Sequence, residues 1–260
     1  MQEEEGIPTL HRNRYVGYIM LRRPSRHNRL QPADMERICA LLEELRSDDS
    51  VRVVVLGATG KSFSSGFDLS SSRVPSSDAE DHSEVLLQRL CDAVEAFPRP
   101  TVCAINGSVI GGASDLALAC DFRVGVRSTK LRMPAPQIGI CFYPTGMRRY
   151  VSRIGLAATK RLFIAGEEFE AQELHRVGFL DEIVDDQKAL DAAVEVLAQR
   201  IAAFPPIAVG YTKQALNQIA HCELDFEVGD RAFRDSLVSE EFAHALKAWT
   251  QRQSQAKASQ

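Results

Sequence analysis

No stretch of this chain is apolar for long enough to cross a membrane as a helix, which takes about 20 residues. Positive charge is not in excess: 31 Lys and Arg against 35 Asp and Glu give a net charge of −4 at pH 7. Nucleic-acid binders carry a basic face, so that partner class is not expected. The 6 cysteines (39, 91, 103, 120, 141 and 222) never form a Cys-x-x-Cys pair, and the 6 histidines are dispersed. With no metal-ligand spacing, no metal is expected. Most of the cysteines have apolar neighbours and read as reduced core thiols. The opening residues, Met1-Gln2-Glu3-Glu4-Glu5, have neither the basic nor the apolar region of a secretory signal. A cytoplasmic protein is the expectation.

The chain has 260 residues, 45% hydrophobic and 25% charged, enough for one large globular domain or a domain with an appendage. Largely apolar runs at 51–56 and 101–105 read as buried strands, and 15–21 and 122–126 as further strands. Residues 32–45 place Met35, Ile38, Leu41, Leu42 and Leu45 at helical spacing. Helices are also expected over 83–97, with Val85, Leu86, Leu90, Val94 and Phe97 facing inward, and over 144–154, 157–163 and 171–177. Short extended pieces are expected around 131–133 and 180–184. The Ser- and charge-rich segment 70–82 reads as a mobile loop. From residue 190 to 249 the pattern is helical, broken at Pro205-Pro206 and near His221-Cys222. Periodicity alone therefore gives an α/β class followed by α.

The organising stretch is 105–121. A strand ends at Ile105, a turn carries Gly111-Gly112, and an apolar helix runs on to about Cys120. Glycines before a helix let backbone approach a ligand closely, and the first helical N–H groups lack intrahelical partners. Such a turn can seat an anion or a developing oxyanion. Asp115 lies on the first turn and can face the same pocket. A second Gly-containing segment, 60–69, follows the strand 51–56.

Together the two segments resemble the oxyanion-hole signatures of the crotonase (enoyl-CoA hydratase/isomerase) superfamily. Gly60-Lys61-x-Phe63-x-x-Gly66-x-Asp68-Leu69 matches the family's first loop, and Asn106-Gly107-x-x-x-Gly111-Gly112-x-x-Asp115 its second. Leu21-Arg22-Arg23-Pro24 through Asn28-Arg29-Leu30 resembles a third family segment, and the likeness covers roughly residues 12 to 253. It implies a ββα spiral core over 1–200 and a C-terminal helical trimerisation region over 201–260. It also implies an acyl-CoA thioester substrate, no permanently bound cofactor, and a homotrimer or dimer of trimers. The backbone N–H groups of Phe67 and Gly112 map to the oxyanion donors. Coenzyme A contacts map to Ser65, Asp68, Leu69, Trp249 and Arg252, and to the polyphosphate-matched Arg22, Arg23, Arg26 and Arg29. The Phe67 ring either narrows the acyl pocket or packs in the core.

The acid/base positions distinguish the reactions. Asp115 matches the first family glutamate and is shorter by one bond, about 1.5 Å. The second glutamate position, in 131–139, is Ala135, which carries no proton. A standard two-glutamate hydratase is therefore not expected. An isomerase or unusual hydratase with one carboxylate remains. So does an acyl-CoA decarboxylase, since segments around Gly107–Ala113 and Met133-Pro134-Ala135 resemble methylmalonyl-CoA decarboxylase-like members. A non-catalytic acyl-CoA-binding member is the third reading. Cys141 and Tyr143 stand where a substitute acid would be.

Overall fold

The computed structural model describes residues 5–68 and 83–258. The expected loop at 70–82, and Leu69, lie outside the described residues. The chain opens with an antiparallel pair, β1 (Gly6–Asn13) and β2 (Val16–Arg22). Helix α1 (Pro32–Arg46) follows and buries Met35, Ile38, Leu41, Leu42 and Leu45. Full burial of such side chains contributes about 1.5–3 kcal/mol each. The N–H of Gln31 at the helix entrance donates to Asp34 Oδ2 at 3.0 Å, satisfying an otherwise orphaned donor.

Three turns of a spiral come next, each giving a strand to one sheet, a strand to a second sheet, and a helix. They are β3 (Val53–Ala58), β4 (Ser62–Ser64) and α2 (Ser83–Glu95); β5 (Thr101–Ile105), β6 (Ser108–Ile110) and α3 (Gly112–Ala119); and β7 (Phe122–Val126), β8 (Lys130–Arg132) and α4 (Pro144–Phe163). Then come β9 (Phe169–Glu170), α5 (Ala171–Arg176), β10 (Glu182–Val184), α6 (Gln187–Ala202), α7 (Pro206–Ala220), α8 (Phe226–Leu237) and α9 (Glu240–Ala258). The first sheet runs β1-β2-β3-β5-β7-β10 and is parallel beyond its first pair. The second runs β4-β6-β8-β9, with only β8 and β9 antiparallel. All six residues of β3 are buried, as expected for a parallel strand covered on both faces. The main core lies among the sheets and α1 to α4, and a smaller one lies between the first sheet and α6. No single described helix is long and apolar enough to cross a membrane.

The short strands β4, β6 and β9 and the strand β1 were not expected from the sequence; three of them are only two or three residues long. On α2, Leu87 takes the fully buried place expected of Leu86. The two helices expected at 144–154 and 157–163 are present and follow one another within α4, separated by a kink at Gly155, whose φ of 79° is non-helical. The C-terminal helices break once more than expected, around Val238 and Ser239.

The two turns that hold the glycine segments meet through bare backbone. A Cβ on Gly107 would stand 2.1 Å from the Lys61 carbonyl oxygen. One on Gly66, whose φ is +85°, would stand 2.4 Å from the Ile110 carbonyl oxygen. Neither backbone neighbour can swing aside as a side chain would. Gly107→Ala is accordingly expected to lower the unfolding free energy by about 2 kcal/mol or more, read from urea denaturation. Wild-type stability in that variant would mean that the turns are not held this tightly.

Candidate active site

Gly66-Phe67 follows β4, and Gly111-Gly112 opens α3. The Gly66 carbonyl accepts from Leu30 N (2.8 Å) and Asp68 N donates to Leu30 O (3.0 Å), which sets the first segment as an added bridge beside Leu30. Gly111 N donates to Arg132 O at 2.8 Å, which fixes the second. Among the described residues, neither Phe67 N nor Gly112 N has a hydrogen-bond acceptor. Both residues line one cavity of about 240 Å³.

That cavity is mostly apolar. Phe67, Val85, Leu87, Ala135, Ile138, Ile140 and Phe142 form most of its wall, and Ser65, Gln88, Cys141 and Tyr143 supply its polar side chains. No carboxylate lines it among the described residues. The Phe67 ring is half-buried, lines the cavity and packs against the core.

Asp115 is fully buried and does not line the cavity, which corrects the expectation that it faces the pocket. The reason is Arg149, itself fully buried on α4. Its Nε donates to Asp115 Oδ1 at 2.9 Å and its Nη2 to Asp115 Oδ2 at 2.8 Å, a bidentate pair. The Nη1 of Arg149 donates to Asp92 Oδ1 at 2.7 Å and to Glu95 Oε2 at 3.0 Å, both on α2. Burial alone would lower the Arg149 pKa, but the hydrogen bonds and charge of Asp115 outweigh it and hold the guanidinium well above its ordinary value.

Tyr143 stands between Asp115 and the cavity. Its ring is on the wall and its hydroxyl donates to Asp115 Oδ2. Burial first, then the nearby Cys91 thiol and Asp115, push the Tyr143 pKa far above the ordinary tyrosine value. Cys91, fully buried on α2, reaches both Tyr143 and Asp115 with its thiol, and burial raises its pKa well above that of a free thiol. Ser114 Oγ donates to Gly111 O at 2.5 Å and meets the Tyr150 hydroxyl, tying the start of α3 to α4.

The structure distributes the other sequence-derived candidates unevenly. Ser65 lines the cavity. Asp68 is buried, pairs with Arg29 at 3.1 Å and does not line the cavity. Arg23 Nε pairs with the buried Asp34 at 3.0 Å. The expected cluster of four polyphosphate-binding arginines is therefore already partly engaged within the fold, while Arg26 is exposed. Arg22 is half-buried. Trp249 and Arg252 lie on α9, and their side chains are outside the described residues. All six cysteines are free thiols; Cys141 and Cys222 are exposed, so they are not core residues.

Sequence reasoning missed Arg149, Cys91, Asp92 and Glu95. A signal for the first was present. The buried stripe of α4 includes Gly146, Arg149, Tyr150 and Ile154, so a charge sits at helical spacing on an apolar face. Such a residue needs a buried partner.

The sequence profile of the family described as "Enoyl-CoA hydratase/isomerase" matches residues 11–254. The human "Enoyl-CoA hydratase domain-containing protein 2, mitochondrial" is 33% identical over 207 residues, 77% of this chain and 70% of that protein. The "1,2-epoxyphenylacetyl-CoA isomerase" of Escherichia coli is 28% identical over 229 residues, 86% of this chain and 84% of its own length. Among solved structures, an enoyl-CoA hydratase from Bacillus anthracis superposes with a TM-score of 0.87 at 26% identity, covering 95% of this chain and 97% of the other.

Replacing Arg149 by Met is expected to destabilise the fold by about 3–5 kcal/mol, because it strands the fully buried Asp115 without its cation. Arg149→Lys is expected to recover only part of this, since one ammonium cannot reproduce the bidentate fork. Chemical denaturation checks both; near-wild-type stability of the Met variant would show that Asp115 does not depend on Arg149.

Proposed function

The chain belongs to the enoyl-CoA hydratase/isomerase family, and from that premise we propose that it moves a proton on the acyl chain of a coenzyme A thioester through a single group, Tyr143 backed by Asp115. The observation that carries this reading is the Tyr143 hydroxyl, set on an otherwise largely apolar wall and hydrogen-bonded to Asp115 behind it. The thioester oxygen sits against the N–H groups of Phe67 and Gly112, which have no other described acceptor. Donors preorganised in this way stabilise enolate charge by a few kcal/mol each, roughly 3 by analogy with acyl-transfer sites.

The proton arithmetic favours isomerisation of a double bond. A substrate C–H gives its proton to Tyr143 Oη as the tyrosine proton passes to Asp115 Oδ2, and the electron pair moves into the thioester enolate. Reversal of the relay returns one proton to a different carbon, so the reaction needs no second acid. Its raised pKa makes Tyr143 a relay and not a standing phenolate. Standard hydration divides its work between two carboxylates, and Ala135 removes one of them. The second reading, decarboxylation, draws on the apolar wall, where a substrate carboxylate would be poorly solvated and its loss as CO2 leaves the same enolate.

Two variants test the relay. Tyr143→Phe and Asp115→Asn are each expected to lower kcat for double-bond isomerisation by about 100-fold or more, with KM for the enoyl-CoA changed less than about threefold. Malonyl-type thioesters, followed by mass, separate decarboxylation from isomerisation. An unchanged kcat in Tyr143→Phe would remove Tyr143 from the mechanism, and absence of binding to any acyl-CoA would remove the whole reading.

Ala135→Glu restores a carboxylate at the second family position and is expected to bring measurable hydration of crotonyl-CoA where the wild type shows little. Hydration equal in the two proteins would show that residue 135 does not choose the reaction.

We also place the working unit in a homotrimer or dimer of trimers. The C-terminal helices leave Ile207, Phe226, Phe233 and Val238 largely exposed, at 74%, 75%, 61% and 86%. Apolar side chains in that number along neighbouring helices suit burial against another copy. A monomeric mass by light scattering at micromolar concentration would reject this assembly.

A further inference from the structure

Helix α6 covers only part of the first sheet. Between its first three turns and strands β2, β3 and β5 lies a cavity of about 430 Å³ that shares no lining residue with the acyl cavity. Its floor comes from in-register neighbours: Tyr18 beside Val55, and Met20 beside Gly57, with Ala104 next along the sheet. Small residues at Gly57, Ala58 and Ala104 leave the space open, and the floor they form is apolar.

The rim has the opposite character. Asp191 and Glu195, one turn apart on α6, both border it, and no Lys or Arg is among its described lining residues. Asn106 lines the same cavity and is 8% exposed. Its Nδ2 is committed to the Gly60 carbonyl at 2.8 Å, which fixes Oδ1 as the acceptor, and that oxygen is buried without a donor. A buried acceptor left unpaired costs about 1–3 kcal/mol, so it marks a place where a donor is missing. One wall is aromatic: the Tyr18 and His11 rings stack with centroids 4.5 Å apart and planes at 6°. The Tyr18 hydroxyl donates to Glu195, which holds that carboxylate at the rim.

We propose that this cavity is a second binding site, for a primary ammonium carrying a small apolar or aromatic body. The ammonium supplies donors to Asn106 Oδ1 and to Asp191 and Glu195, which accept from Gln187 Nε2 at 2.7 Å and Gln199 Nε2 at 3.0 Å and keep further lone pairs, and its body lies on the sheet floor beside the Tyr18–His11 stack. An anionic ligand is opposed by both carboxylates. The site stands apart from the acyl-CoA reading and does not depend on it.

The test uses phenethylammonium and phenylacetate, which share a ring and a short chain but differ in charge. Calorimetric titration of the full chain is paired with NMR of methyl-labelled methionine, where Met20 reports from the floor. Phenethylammonium is expected to saturate and to shift the Met20 methyl signal, with phenylacetate weaker by about tenfold or more, which is ~1.4 kcal/mol. Asp191→Asn, a change at an exposed side chain, is expected to weaken the ammonium by about threefold. Adding Glu195→Gln should bring it down to the phenylacetate level, with acetyl-CoA affinity unchanged. Equal binding of the two probes, ammonium binding indifferent to Asp191→Asn, or no saturation at about 10 mM ammonium (a free energy near −3 kcal/mol) would overturn the site.

Discussion

The bidentate contact between Arg149 and Asp115 joins the interior of this protein. Through one guanidinium, α4 is tied to α3 by Asp115 and to α2 by Asp92 and Glu95. Each buried ion costs several kcal/mol to desolvate, roughly 3 or more, and Coulomb attraction offsets that only with good geometry. Here four hydrogen bonds use all three nitrogen atoms of the guanidinium, and charge-assisted bonds of this kind contribute about 1.5–3 kcal/mol each. The contact also has a directional consequence. Hydrophobic packing alone allows helices to slide, whereas a planar fork on a carboxylate fixes the rotation of α4 about its axis. That rotation sets where Tyr143, at the head of α4, meets the cavity.

The second constraint is backbone contact between successive turns of the spiral. Parallel strands put β4 beside β6; the segments that enter them meet at Lys61 and Gly107, and those that leave them meet at Gly66 and the Gly111-Gly112 turn. The same absence of Cβ atoms that lets the turns touch also leaves two backbone N–H groups bare toward a common space. Packing and chemistry thus make one demand on these residues. Gly112 shows it again: a Cβ there would stand 2.2 Å from Leu87 on α2, a cavity-wall residue.

Much of this was legible in the sequence. Strands β5 and β7 match their apolar runs residue for residue, and α1 ends within one residue of its amphipathic pattern. The glycine segments were legible because paired glycines between an apolar strand and an apolar helix signal a close backbone approach. Of the second sheet only β8 was legible, as an extended piece around 131–133. Its strands are two or three residues long, too short for alternation to show, and exist because the spiral brings them side by side. The orientation of Asp115 was not legible either. Sequence placed it on the first turn of α3, but which way it points depends on Arg149, 34 positions later. The pairing within the arginine cluster at 22–29 was hidden for a related reason. Charge density suggests a polyanion, while the partners Asp34 and Asp68 that engage Arg23 and Arg29 are visible only once the chain is folded.

Asp115, Ala135 and Tyr143 make sense as one arrangement. An aspartate reaches about 1.5 Å less far than a glutamate from the same backbone position, so its carboxylate stays behind the wall and within the fork of Arg149. The space in front is then filled by the Tyr143 ring, which carries a hydroxyl from the wall back to that carboxylate. This geometry needs Gly146. A Cβ there would lie 2.7 Å from the Tyr143 ring, 2.5 Å from that of Phe142 and 3.0 Å from Asp115 Oδ2. Phe142 and Tyr143 stack with centroids 4.4 Å apart, so the phenol cannot retreat along the wall without disturbing its neighbour. Ala135 borders the same cavity with a methyl group. The Tyr143 hydroxyl thus links this wall to a carboxylate that is fully buried behind it.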